Sequence, residues 1–295
     1  MKLLTFHGNE ASNLGIKVED TIIDLPESYY RMYNEEPPKY LHDMRSFLEK
    51  GDVSLLTASN ILNSQHHVIR KFEEIRFAPL IRPRKILCVA VNYGEHAKEA
   101  GGASVEEPYV FTKFPDNVVA HSANLLLPKA SKQLDHELEL AIIIGKEGKY
   151  IKEKDAFKHI AGYSVFNDVS FRDRRKHSSQ RYITNWLHGK NMDFSAPVGP
   201  YLVTADEIQN PQNLRMTLKV NGEIRQDGNT KDMIHKIPEI LEYISDGITL
   251  YPGDIISTGT VTGSGLGTGK FLKAGDRIEA TIENIGTLIN TVEEE

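Results

Sequence analysis

One cysteine, Cys88, stands among 295 residues, so no internal disulfide can form and a reducing compartment is expected, with the cytoplasm as the default. The chain also lacks a run of about twenty apolar residues, the length a membrane-spanning helix requires, and no membrane partner is expected. Its opening, MKLLTFHGNEASN, turns polar after a few apolar residues, too soon for the apolar stretch of a signal peptide. Charge of one sign is not gathered anywhere: 41 acidic and 35 basic residues give a formal charge of -6 with no long block of either. That excludes nucleic acid as a partner, because phosphate recognition needs a concentrated Lys/Arg surface. A local basic pocket for a small anion stays open.

What is present has ordinary globular balance, 40% hydrophobic and 26% charged residues. The length suits one large β-rich domain with a small appendage. Residues 1 to 25 read as short strands with glycine turns, and from Tyr40 to about Glu74 the apolar spacing becomes helical. Pro79 and Pro83 then deny helix continuation, which marks a boundary near residue 80. Beyond it come β-branched apolar runs of strand length, including KILCVAVNY, ELELAIIIG, YSVFNDV and DIISTGT. Asn221-Gly222 between two such runs is a hairpin signal. Helices are expected at about 153 to 159, 170 to 183 and 236 to 246. Many strands with few helices and no regular βα alternation predict an α+β, mostly β fold rather than a doubly wound sheet. Two domains are expected, 1 to 80 and 83 to 295.

In LDHELELAIIIG, Glu137 and Glu139 are two apart on an expected strand and leave one face together with Asp135, while His136, Leu138 and Leu140 face the other way. Two readings compete: an acidic strand face in water, or a partly buried face whose like charges need a cation. Oxygen ligands alone suit Mg²⁺ or Ca²⁺, and a zinc site fits poorly because the set has no cysteine and no paired histidine. Asp168, in YSVFNDVS, ends an apolar run and is either a third ligand or the N-cap of a helix starting near Ser170. His96 and Glu99 are three apart on one helical turn, so the carboxylate can orient the imidazole as a general base, or the two can form a solvated surface pair. Gly94, Gly101 and Gly102 flank that turn and suit a closing lid. His66-His67 read as surface residues.

Taken together, NYGEHAKE, LDHELELAIIIG, AGYSVFNDVSFRD, GKNMDFSAPVGP, VNGEIRQDGNT, YPGDIISTGT and AGDRIEATIENIGTLINTV resemble the fumarylacetoacetate hydrolase family over about residues 83 to 295. The resemblance implies a mixed β-roll or barrel with a small N-terminal α/β domain, a homodimer, and one divalent cation per chain, Mg²⁺ or else Mn²⁺ or Ca²⁺, on Glu137, Glu139 and Asp168. It further implies a His96/Glu99 dyad, with Lys190 steadying an enolate or the substrate carboxylate. Arg172 and Thr260 fall at pocket positions, and Lys113 is a weaker candidate for the substrate's acid group. The implied activity is carbon–carbon hydrolysis of a small acylpyruvate or diketo acid, with isomerisation, tautomerisation or decarboxylation of a 2-oxo dicarboxylic acid as the alternative. A metal-dependent oxo-acid binding protein without turnover is a third reading. Phe171, Val261, Ser264 and Phe194 depart from the family pattern, which puts the substrate in question rather than the ligands or the dyad.

Overall fold

A computed structural model describes residues 1–8, 11–99, 106–175 and 184–295. Its centre is the run LELAIII, a strand Leu138–Ile144 that is buried at every position. Ile160–Asn167 flanks it antiparallel on one side, with Leu138 opposite Asn167. Ile255–Thr260 flanks it on the other, with Glu139 opposite Thr260. A strand covered on both faces needs apolar residues at both parities. Leu138, Leu140, Ile142 and Ile144 enter one core, and Ala141 and Ile143 enter the other. Glu139 shares the parity of Ala141 and Ile143, so it projects from the second face at the strand's start.

The large sheet has eleven strands. From the centre it runs outward through Ala196–Thr204 to the N-terminal strands Lys2–His7, Ser12–Val18, Thr21–Asp24 and Ile69–Lys71, and on the other side through Ile86–Ala90 to Tyr109–Lys113. Ile86–Ala90 runs parallel to Ile255–Thr260, whereas most other pairs are antiparallel, so the sheet is mixed. A second sheet of five strands, Glu223–Asn229, Arg215–Val220, Arg277–Ile282, Gly286–Glu294 and Asn124–Leu127, shares the first core. Both sheets are open and no closed barrel occurs among the described residues. The Asn221-Gly222 turn has positive φ at both residues, 52° and 82°, as a two-residue hairpin of this sequence requires.

Residues 1–80, expected as a small unit of their own, extend the large sheet through the pairing of Leu3 with Leu202. Their helices are Met44–Lys50 and Asp52–Leu62, within the span where helical spacing was expected, and also Leu25–Tyr33, which it did not include. That helix starts because the Asp24 carboxylate accepts the Glu27 N–H at 3.3 Å and Pro26 sits in the first turn. The helices expected at 153–159 and 236–246 appear as the 3₁₀ turn Glu153–His159 and the helix Ile237–Ser245. The one expected at 170–183 is different: Ser170–Phe171 is a strand paired with Leu134–Asp135, Arg172–Arg175 is one helical turn, and 176–183 lie outside the described residues. Gly101 and Gly102, the glycines of the expected lid, also lie outside them. No described helix is long and apolar enough to cross a membrane.

Candidate metal and catalytic site

Three strands and the chain just before or after them meet at one end of the large sheet. Glu137 sits one residue ahead of Leu138–Ile144, Asp168 one residue past Ile160–Asn167, and the antiparallel register brings both ends together. One side-chain and one backbone bond lock this meeting point: Asn167 Oδ1 accepts the Glu137 N–H at 2.9 Å, and the Asp168 N–H donates to the Glu137 carbonyl at 2.8 Å. One oxygen from each of Glu137, Glu139 and Asp168 lies within 4.8 Å of the others. Glu137 is 4% exposed, Glu139 2% and Asp168 1%, so the reading of a water-facing acidic strand does not hold. Nor does Asp168 cap a helix, because the residues after it form a strand.

Buried like charges need counter-charges. The Lys190 ammonium pairs with both Glu137 and Asp168, and Arg172 pairs with Glu137 and, at 2.6 Å, with Asp135. Burial alone would raise the Glu137 carboxyl, but Arg172 and Lys190 reverse this and hold it well below the usual carboxylate range. Among the described residues Glu139 has no such cationic partner. It accepts the Ser257 hydroxyl and, at 2.8 Å, the N–H of Gly259, whose φ of 91° turns the amide toward it. Burial, then the charges of Asp168 and Glu137, push its carboxyl well above the usual range. A triad of oxygen donors short of one positive charge has the make-up of a divalent-cation site.

His96 and Glu99 lie on the short helix Gly94–Glu99, and His96 lines the same cavity as the triad. Nδ1 of His96 is 3.2 Å from the Glu99 carboxylate. That carboxylate also accepts the Thr262 hydroxyl and the Gly263 N–H at 3.0 Å. Burial works to raise Glu99, and the bonds from His96, Thr262 and Gly263 outweigh it, so the group is held low and anionic. The close approach depends on Gly267: a Cβ there would fall 2.5 Å from the Glu99 carboxylate. His96 is 5% exposed, which excludes the solvated surface pair.

The structure gathers Lys190 and Thr260 onto the cavity wall with these groups. The Thr260 hydroxyl is occupied, donating to the Leu138 carbonyl at 2.8 Å and accepting from Gln226 at 2.9 Å. Arg172 sits behind Glu137 in the pairs already described. Lys113, expected near the substrate's acid group, is instead buried behind Asp168. Its ammonium lies 2.9 Å from that carboxylate and donates to the carbonyls of Val169 and Lys190 at 3.0 and 2.5 Å. Asp135 shares the side of Glu137 in the sequence pattern, yet it leaves the triad to accept from Arg172 and from the N–H groups of Gly265 and Leu266. Sequence reasoning missed three groups: Gly267, and the cavity-lining Arg175 and Trp186. No spacing signal marks them, because RDRRK reads as a solvated charge run.

Over residues 85–293 the chain matches the family model described as fumarylacetoacetate (FAA) hydrolase C-terminal. It is 41% identical over 261 residues to an oxaloacetate tautomerase of Bos taurus, covering 88% of this chain and 82% of that protein. To an oxaloacetate tautomerase of Xenopus laevis it is 38% identical over 300 residues, covering 99% and 90%. Among solved structures, fumarylacetoacetate hydrolase from psychrophilic Exiguobacterium antarcticum aligns over the whole of both chains with TM-score 0.81 and 31% identity. Maleylpyruvate hydrolase from Sphingobium sp. SYK-6, in complex with manganese(II) and pyruvate, aligns with TM-score 0.81 and 27% identity over 100% of this chain and 99% of that one. Both tautomerases are named as mitochondrial, which overturns the cytoplasmic expectation. A lone buried thiol such as Cys88 says that no disulfide is needed and does not choose between compartments.

Two outcomes follow from the charges. Lys113→Ala leaves Asp168 short of a buried partner and is expected to lower unfolding free energy by about 3–5 kcal/mol in guanidinium titrations; a loss below about 1 kcal/mol would mean the pair is not structural. Since Glu139 keeps its proton to higher pH than an ordinary glutamate, a bound cation must displace it. Mn²⁺ affinity should therefore rise about tenfold per pH unit while Glu139 stays protonated, with a proton released to buffer in calorimetry. A flat profile without proton release would contradict the assignment.

Proposed function

The chain belongs to the fumarylacetoacetate hydrolase family, and from that premise we propose that it is an enzyme interconverting the keto and enol forms of a small 2-oxo acid. The observation that carries this reading is that the acidic triad and His96 line one cavity. The oxaloacetate tautomerase names of the relatives support oxaloacetate as the first substrate to try.

Glu137, Glu139 and Asp168 would hold a divalent cation, Mg²⁺ or Mn²⁺, and the manganese and pyruvate named with the maleylpyruvate hydrolase structure support that choice. When bound, such an ion polarises the 2-oxo group and stabilises negative charge developing on the substrate oxygens. The chain's own residues move the proton. Glu99 accepts a hydrogen bond from the Nδ1–H of His96, which fixes the tautomer and leaves Nε2 as the base. In ketonisation, Nε2 takes the enol O–H proton, the C2–O bond becomes a carbonyl, and the electron pair arrives at C3. The same imidazolium then gives its proton to C3, so atoms balance with no co-reactant. Lys190 contributes a fixed positive charge beside the reacting oxygens, and Lys113 acts by holding Asp168 in place rather than by touching substrate.

Carbon–carbon hydrolysis of an acylpyruvate is the second reading, supported by the likeness to maleylpyruvate hydrolase. There His96 takes a proton from water, the new hydroxide attacks the C4 carbonyl, the C3–C4 bond breaks with pyruvate leaving as its enolate, and the imidazolium gives its proton to C3 of that enolate. A binding protein without turnover has no use for an imidazole braced as His96 is.

Enol-oxaloacetate decay, followed by its ultraviolet absorbance with Mn²⁺ present, separates these readings. Wild type should accelerate decay, His96→Ala should lose about 10²–10⁴ in kcat, and Gly267→Ala should also lose kcat because its Cβ displaces Glu99. Full turnover by His96→Ala would refute the assignment. Acylpyruvate cleavage outpacing the tautomerisation would move the conclusion to hydrolysis.

A further inference from the structure

Among the described residues, four cations stand near the triad, and three of them are paired with its carboxylates or with Asp135. Lys190 bridges Glu137 and Asp168, Lys113 holds Asp168, and Arg172 is shared by Asp135 and Glu137. Arg175 is different. It lines the cavity, yet it has no carboxylate partner and makes no side-chain hydrogen bond among the described residues.

Its position is nonetheless built. The Arg175 carbonyl accepts the Asn185 N–H at 2.7 Å, tying the turn Arg172–Arg175 to the helix Trp186–Lys190. Gly189 of that helix lies against the Arg175 stem: an added Cβ would meet its Cα and Cβ at 3.1 and 3.2 Å. The guanidinium carbon sits 5.3 Å from the centre of the Trp186 ring. That ring is itself held, stacked on Phe111 at 4.3 Å with 3° between planes and donating its N–H to the Tyr109 hydroxyl at 3.2 Å. An aromatic wall thus supports a cation at the edge of the cavity. Burial pulls the Arg175 basicity down more than Glu137 and Asp168 restore it, the mark of a charge lacking its anion.

We propose that Arg175 is the specificity residue for a second carboxylate, so that the substrate is a dicarboxylic 2-oxo acid whose oxo-acid end faces the triad and whose far carboxylate is held by the Arg175 guanidinium. This rests on the 2-oxo acid reading of the site. A guanidinium matches a carboxylate with two parallel N–H bonds, and one held in place by a ring loses little freedom in making them.

Binding of unreactive analogues tests it separately from turnover. The probes are malate, which carries the second carboxylate, and lactate, which lacks it, titrated by calorimetry into full-length protein with Mn²⁺. Wild type should prefer malate by at least about tenfold, the worth of one charge-assisted pair. In Arg175→Gln that preference should fall to about one, and in Arg175→Lys it should be partly kept, with thermal unfolding confirming a folded chain in each. No preference in wild type, or an unchanged preference in Arg175→Gln, would overturn the proposal. If the preference appears and depends on Arg175 while enol-oxaloacetate decay is not accelerated, the carboxylate subsite stands and the tautomerase reading fails.

Discussion

Three carboxylates held out of water within 4.8 Å of one another are the constraint around which this protein is organised. In a low-dielectric interior such charges repel strongly, and a sheet cannot carry them without compensation built into the frame. Lys190, Arg172 and Lys113 supply it, each buried and each paired with more than one acceptor. The compensation stops short of Glu139, which receives only a hydroxyl and an amide. Buried ion clusters contribute little net stability, so a cluster left deliberately under-neutralised is better explained by chemistry than by folding.

Work is divided between two parts of the frame. The rigid central strands fix the charge cluster, because register alone places Glu137, Glu139 and Asp168. A separate short helix carries the proton-handling pair, and it is pinned by Glu99 to the 262–267 turn rather than to the triad. His96 can therefore change protonation state without dismantling the cation site. On the far wall, Trp186 and Phe111 present Arg175 to the same space.

Much of this was legible in the sequence. Residues two apart on a strand share a face, so ELELAIIIG put Glu137 and Glu139 side by side but left open whether that face met water or a cation, and only the ordered motifs of the resemblance joined Asp168, His96 and Glu99 to them. Elsewhere local pattern gave the wrong or no answer for physical reasons. Leu25–Tyr33 is helical through its Asp24 cap and turns Leu25, Tyr29 and Met32 to the core, but the run is too polar overall to stand out in the sequence. The resemblance offered Lys113 as a weaker candidate for the substrate's acid group, when tertiary pairing with Asp168 decides its place. Asp135 shares parity with the triad, but the strand breaks between Asp135 and Leu138, and Arg172 draws it away. Arg175 lies in a charge run whose members look alike until packing against Gly189 and Trp186 distinguishes one of them.

The most direct measurement is the anomalous scattering of crystals grown with Mn²⁺. One peak per chain should appear, with oxygens of Glu137, Glu139 and Asp168 at about 2.0–2.6 Å and the Lys190 ammonium no longer between Glu137 and Asp168. No peak at the triad, with Lys190 still bridging the two carboxylates at saturating Mn²⁺, would contradict the central claim that this cluster is built to hold a cation.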